Sequence, residues 1–377
     1  MAGIYLHIPF CRQACYYCDF HFSTNLQPIE AMVEAMCMEL DLRASFLTDR
    51  HISTIYLGGG TPSLLAPEHI HRLLKAIAGQ YEIEAGAEVT LEANPDDVNR
   101  DQLDAWRSAG INRLSLGIQT FDQDRLRQLN RAHNRTQALQ SIQLALEEGF
   151  TNLTCDLIYA IPPSAMSLWM KDVEQMIDFG VGHLSLYGLT IEEQTVFGRR
   201  KAKGQFQEVS ENDNADQYQY AIERLADAGY RHYEVSNFCL PGRVSRHNSS
   251  YWRQVQYLGI GPGAHSYNGK SRTFAVRSNS KYIQHITKGR LPIEEELLAI
   301  IDKVNEYTMT RVRTTFGLDI RLLDDLSGGR YTQDNQAILD WMVSQQWMRR
   351  SPNGMYVTTD AGMFHADEIA VKLFLAD

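Results

Sequence analysis

Six short apolar runs, each followed by a polar or amphipathic stretch, constrain this chain more than any other feature. The runs are GIYLHI (3–8), TIYLGG (54–59), AEVTLEA (87–93), NRLSLGI (112–118), NLTCDLI (152–158) and HLSLYGL (183–189). Between them lie helix-length patterns over 28–48, 66–80, 97–109, 122–148 and 165–179. Strands alternating with crossover helices form a parallel sheet with right-handed connections. Such units fit either an open doubly wound sheet or a partial (β/α) barrel.

In both architectures ligands gather where strands end and helices begin. The marked residues of this chain fall there. A cysteine loop follows the first run and GGGTPS (58–63) follows the second. Glu92 closes the third, Gln119 follows the fourth, Asp156 sits late in the fifth and Thr190 follows the sixth. Together they outline one site.

The loop reads Cys11-x3-Cys15-x2-Cys18, while Cys37, Cys155 and Cys239 lie far apart. No leader pattern precedes it, and no apolar run approaches the roughly 20 residues that span a bilayer. The expectation is a cytoplasmic protein, in which clustered thiols bind metal or do redox work rather than form disulfides. Structural zinc takes four ligands, usually as two separated pairs, and no second pair is present. A [4Fe–4S] cluster is normally held by four thiolates. Three thiolates leave one iron open to a ligand. Zinc completed by His7 or His21, and a chance cluster of buried thiols, are the alternatives.

Cys-x3-Cys-x2-Cys after a first strand resembles the radical S-adenosylmethionine (radical SAM) proteins. YLHIPFC…C..C in particular resembles the oxygen-independent coproporphyrinogen III oxidase family. The resemblance implies an α/β fold built on a partial (β/α)6 TIM-like barrel. It also implies a [4Fe–4S] cluster on Cys11, Cys15 and Cys18, whose open iron would chelate SAM. One electron from the cluster would then split a C–S bond to give methionine and a 5′-deoxyadenosyl radical. Motif by motif, the resemblance assigns SAM contacts to Tyr5, Tyr17, Gly59, Gly60, Thr61, Glu92, Gln119, Arg131 and Asp156, with Asp156 suited to ribose hydroxyls. The glycines would let backbone approach the ligand. Acids, amides and a cation are what a sulfonium, an ammonium, a carboxylate and a diol require.

Two branches of that family differ here. The oxidases carry a further cysteine two residues after the third, where this chain has Phe20. They also carry an N-terminal extension, for which the few residues before His7 leave no room. RHNSSYW (246–252) contains His-Asn-x-x-Tyr-Trp, which resembles the signature of the HemW haem-chaperone branch. A histidine can ligate haem iron and aromatics can cover the macrocycle. The resemblance therefore makes His247 the haem ligand, with Tyr251 and Trp252 packing on it. A structural histidine among core aromatics is the other reading. GIGPGAHSY (259–267) resembles a Gly-rich segment of the family. Its His265 lines a pocket or bonds a turn, and is left out of the haem assignment. His7 and His21 flank the cluster loop, tuning it or serving structure.

The function implied is a haem chaperone that binds haem b and passes it to membrane-bound respiratory cytochromes. The cluster and SAM would support haem transfer or a homodimer. The alternative is a radical SAM enzyme acting on a tetrapyrrole. Nucleic acid is not an expected partner: 36 basic against 46 acidic residues give a net charge of −10, and phosphate backbones need clustered cations.

Further strands are expected at 230–236 and 255–261, and an exposed polar loop at 199–214. Beyond Pro292, helices over 295–312 and 333–347, a hairpin turning on Asn353-Gly354 and a helix over 361–375 suggest a small winged-helix-like α+β domain. Three parts are expected: the barrel (1–210), an extension carrying the haem motif (211–294) and the C-terminal domain (295–377).

Overall fold

The structure is a computed structural model that describes residues 1–376. The expected runs form six parallel strands: β1 (Ala2–Ile8), β2 (His51–Gly59), β3 (Glu82–Ala93), β4 (Arg113–Gln119), β5 (Leu153–Tyr159) and β6 (His183–Gly188). They lie in sequential order, without the reversal that defines a doubly wound sheet. The winding is that of a partial barrel. β1 is buried almost throughout, as a parallel strand covered on both faces must be.

The crossovers are α1 (Ile29–Leu42), α2 (Pro67–Gln80), α3 (Arg100–Ser108), α4 (Gln123–Gln128), α5 (Arg135–Glu147) and α6 (Met166–Phe179). α2 shows the logic of this layer: Ile70, Leu73 and Ile77 recur at helical spacing and are its buried residues. The stretch 122–148, read from sequence as one helix, is two. Asp122 caps α4, Asn134 caps α5 in a capping box with Gln137, and Asn130 between them is left-handed at φ 58°. Capping side chains compete with helix continuation, and the break delivers Arg131.

After β6 the chain forms α7 (Val196–Ala202) and α8 (Glu211–Asp227). Thr195 and Ser210 cap them, so the polar segment expected as a loop over 199–214 is irregular only in its middle. The hairpin β7 (Arg231–Glu234) and β8 (Asn237–Cys239) adds to β6 antiparallel. Next come α9 (Arg246–Trp252) and β9 (Tyr257–Ile260), and β9 pairs parallel with β1. Then β10 (His265–Tyr267), β11 (Ser271–Ala275), α10 (Asn279–Ile286) and β12 (Ile293–Leu297) carry the sheet outward to twelve strands, edged by β12 and β7.

The tail comprises α11 (Ile300–Val312), α12 (Ile320–Ser327), α13 (Arg330–Ser344), β13 (Met348–Arg350), β14 (Tyr356–Thr358), α14 (Asp360–Met363) and α15 (Ala366–Leu373). It has its own core around Val304, Leu323, Tyr331, Leu339 and Ile369. Since β12 belongs to the main sheet, that core begins after residue 297, not at 295. The hairpin turn is not the two-residue type. Ser351 donates to the Met355 carbonyl at 2.8 Å and Gly354 is left-handed at φ 84°, giving a three-residue loop. Backbone bonds from Val235 to Arg313 and from Thr315 to Tyr233 dock the tail on β7. Among the described residues no helix is long and apolar enough to cross a membrane.

A buried polar knot fastens the β9–β12 extension to the barrel. Glu39 on α1 accepts from the Tyr282 hydroxyl (2.6 Å) and the Gly261 amide (2.9 Å). Arg43, one turn on, donates to the Gly259 carbonyl (3.0 Å) and Thr273 (2.8 Å), with Glu39 at 3.4 Å. Removing one partner strands the other as a buried charge. Glu39→Ala is expected to lose about 3–5 kcal/mol of stability, measured by chemical denaturation.

Candidate cofactor site at the strand ends

The cysteine loop leaves β1 and is clasped by backbone. Gly60 donates to the Ile8 carbonyl (2.9 Å), Thr61 to the Phe10 carbonyl (2.7 Å), and Cys11 to the Ser23 carbonyl (3.1 Å). A Cβ on Gly60 would stand 2.6 Å from the Phe10 carbonyl oxygen, and one on Gly59 2.5 Å from the His7 ring. Gly59 also adopts φ 105°, which glycine alone takes readily. The sequence suggested that these glycines admit a ligand; in the structure they admit the protein's own cysteine loop.

Cys11, Cys15 and Cys18 line one cavity of about 820 Å³, together with Tyr5, Tyr17, Gly59, Gly60, Thr61, Glu92, Gln119, Arg131 and Asp156. The structure thus gathers every residue expected to touch a cluster or SAM. All three thiols are free. Burial pushes Cys11 up to about 11 and Cys18 up to about 12. Thr61 donates to the Cys11 sulfur and Arg131 to the Cys15 sulfur, each at 3.4 Å. Among the described residues no three His, Cys, Asp or Glu groups converge on a single-ion position. His7 is fully engaged: Nε2 donates to the His21 carbonyl (2.9 Å) and Nδ1 meets the Tyr5 hydroxyl (3.1 Å). His21 is turned to Asn279 through Nε2 at 2.8 Å. The zinc alternative would have to open these bonds of His7 or His21, whereas a cubane spreads its thiolates over separate irons. Three half-buried thiols around one cavity, with a guanidinium against one sulfur to balance thiolate charge, fit the cluster.

Beside the thiols stand two acids and one cation. Glu92 accepts from the Tyr56 hydroxyl (2.8 Å) and the Gly59 amide (3.1 Å), and burial raises its pKa. Asp156 is pushed up to about 7, by burial first and then by the Glu92 charge, while Ser185 and Ser115 donate to it. Arg131 is pinned by Asn94 (2.7 Å) and the Gly117 carbonyl (2.9 Å), which leaves its buried Nε without a partner. Gln119 ends β4 with φ 69°, an uncommon conformation for a side-chain-bearing residue and one that recurs at binding sites. Two acids and a guanidinium lining one cavity suit the ammonium, diol and carboxylate of a SAM-type ligand.

Sequence reading missed Asn94, Ser115, Ser185 and Tyr187. Three of these were findable. Ser115, Gly117 and Gln119 alternate along β4, and Ser185 and Tyr187 along β6, so period-two counting from a known site residue identifies the inward-facing positions.

The haem motif borders this cavity through Tyr251. α9 sits against the starts of the strands, where Glu88 accepts from the amides of Arg246 (3.1 Å) and His247 (2.9 Å). His247 is 1% exposed and stacks on Tyr56 at 5.0 Å. Its Nδ1 bonds Thr54 Oγ1 (2.8 Å) and its Nε2 bonds the Tyr251 hydroxyl (2.9 Å). Both ring nitrogens are hydrogen-bonded, so ligation of haem iron by His247 would require one of these bonds to open. The ring instead positions Tyr251, which reaches the cluster cavity. On the other side of α9 a second cavity of about 780 Å³ is lined by Ser249, Arg253, Phe238 and Phe316. Trp252 is half-buried.

Comparison with known proteins agrees with this geometry. The radical SAM superfamily matches residues 5–179, from Tyr5 past Asp156. The chain is 40% identical to the haem chaperone HemW of Lactococcus lactis, over 99% of this chain and 97% of that one. It is 30% identical to HemW of Bacillus subtilis over 95% of each, and 35% identical to HemW of Escherichia coli over 82% of each. The solved structure of coproporphyrinogen III oxidase from Escherichia coli matches with a TM-score of 0.84, covering 99% of this chain and 90% of that one at 23% identity. That likeness is one of fold. With its three-cysteine loop and the polar pocket beside it, the chain belongs to the radical SAM superfamily and, within it, to the HemW family.

Proposed function

We propose that this protein is a haem chaperone that holds a [4Fe–4S] cluster and SAM, binds haem b and delivers it to respiratory cytochromes at the membrane. The observation that carries the reading is the near-full-length similarity to HemW proteins of a chain whose cysteine loop and acid–cation pocket form one cavity. The oxidase alternative rests on fold alone, and Phe20 stands where the oxidase motif has a cysteine.

The residues divide the work. Cys11, Cys15 and Cys18 would hold the cluster, which supplies an open iron and one electron. Glu92, fixed by Tyr56 and the Gly59 amide, accepts the ammonium of the cofactor. Arg131, held by Asn94 and the Gly117 carbonyl, supplies the cation for a carboxylate. Asp156, between Ser115 and Ser185, accepts from ribose hydroxyls.

The expected outcomes are distinct. Any of Cys11→Ser, Cys15→Ser or Cys18→Ser abolishes the iron–sulfur absorbance of anaerobically reconstituted protein. Glu92→Gln keeps that absorbance and weakens SAM about tenfold by calorimetry, as loss of one charge-assisted hydrogen bond requires. The wild-type protein takes up haem in an absorbance titration and leaves coproporphyrinogen III intact in the presence of SAM and reductant. Decarboxylation of that substrate would replace the chaperone reading with the enzymatic one.

A further inference from the structure

We propose that Asp172 is a positioning residue for SAM, acting through a β-bulge that aims Gln119 into the cluster cavity, an inference that rests on the SAM reading of that cavity. Gln119 ends β4 and lines the cavity. Over this stretch the strand pairing slips: β4 runs from Leu116 to Gln119 while β5 runs only from Cys155 to Leu157. The extra residue makes a bulge, a device that re-aims a side chain beside a site. Here it brings the Gln119 amide alongside Arg131. A Cβ on Gly117 would stand 3.0 Å from Gln119 Nε2 and 3.1 Å from Arg131 Nη2. Gln119 reaches this place at φ 69°, in the left-handed region. That conformation is unfavourable for a residue with a Cβ and persists only where the surroundings hold it.

The surroundings do hold it. Asp172 lies on α6 and is 2% exposed. It accepts from the Thr120 hydroxyl at 2.6 Å and from the Phe121 amide at 2.9 Å. One carboxylate thereby clamps the two residues that follow Gln119. The Phe121 ring also faces Phe179 at the end of α6, with centroids 6.4 Å apart. On the other side, the Ile118 carbonyl is bonded by the Thr120 amide (2.9 Å) and by His133 Nε2 (3.1 Å). His133 sits on the loop that carries Arg131, and Arg131 donates to the Gly117 carbonyl (2.9 Å). The turn is therefore gripped from α6 and from the Arg131 loop together. A carboxylate this deep is costly. Burial pushes Asp172 up to about 6, against the bonds from Thr120 and Phe121 and the charge of the buried Arg125. Anchoring α6 does not require that cost, since the helix already buries Trp169, Val173 and Met176. Holding two donors of a strained turn does: an amide in its place would turn an NH2 group toward one of them.

The test is SAM affinity by calorimetry on the full-length, anaerobically reconstituted protein, arranged as a double-mutant cycle with Gln119→Ala. Asp172→Asn is expected to weaken SAM about tenfold, to speed hydrogen exchange at the Phe121 amide and to keep the iron–sulfur absorbance. In the Gln119→Ala background the same change weakens SAM less than about twofold, because the side chain it aims is gone. Thr120→Val keeps nearly the same shape and removes one bond of the clamp. It gives the same pattern at smaller amplitude, and it decides the question by the same outcomes if Asp172→Asn does not fold. Wild-type SAM affinity in Asp172→Asn overturns the assignment. So does an equal loss with and without the Gln119 side chain, which would mark a purely structural carboxylate. Both results leave the SAM reading standing. A wild-type chain that keeps its cluster and binds no SAM overturns that reading and this assignment together.

Discussion

The functional end of this protein depends on a backbone clasp. The Gly60 and Thr61 amides close on the carbonyls of Ile8 and Phe10, and the fully buried Phe10 side chain anchors the same turn. Because parallel strands β1 and β2 are in register up to Ile8 and Gly59, the clasp sits at a fixed height on the sheet. The cysteines that follow inherit that height. Glu92 is tied into the same place through the Gly59 amide. A side chain at position 60 would meet backbone and not a movable group, so there is no cheap way to relax it.

Much of this was legible from sequence because the signals were local. Apolar runs bounded by turn residues gave the six parallel strands within a few residues of their ends, although β2 and β3 begin earlier than their apolar cores. The cysteine spacing and the residues at strand ends gave the cavity. What escaped depended on pairing between distant segments. β10 and β12 are short, and IEEEL carries little apolar signal. Such segments become strands because a neighbouring edge supplies their hydrogen bonds. The break at Asn130 was hidden because helical periodicity continues on both sides of it. Only the caps Asp122 and Asn134 mark it.

The haem motif shows a different limit. A histidine followed by aromatics reads equally well as a ligand with its cover or as a packed, hydrogen-bonded core unit. Which one holds depends on partners from remote strands: Thr54 on β2, Glu88 on β3 and Tyr56 in stacking contact. The distinction rests on tertiary satisfaction of polar groups, which spacing cannot encode.

The bonds of Arg131 have a consequence for regulation. One guanidinium reaches the Cys15 sulfur, Asn94 and the Gly117 carbonyl, and stands in the polar pocket as well. Two occupants that share a single rigid contact are thermodynamically linked. Whatever SAM gains from finding that group already oriented by the cluster, the cluster gains in retention when SAM is bound, by the same factor. Cofactor supply would then set how long the cluster persists.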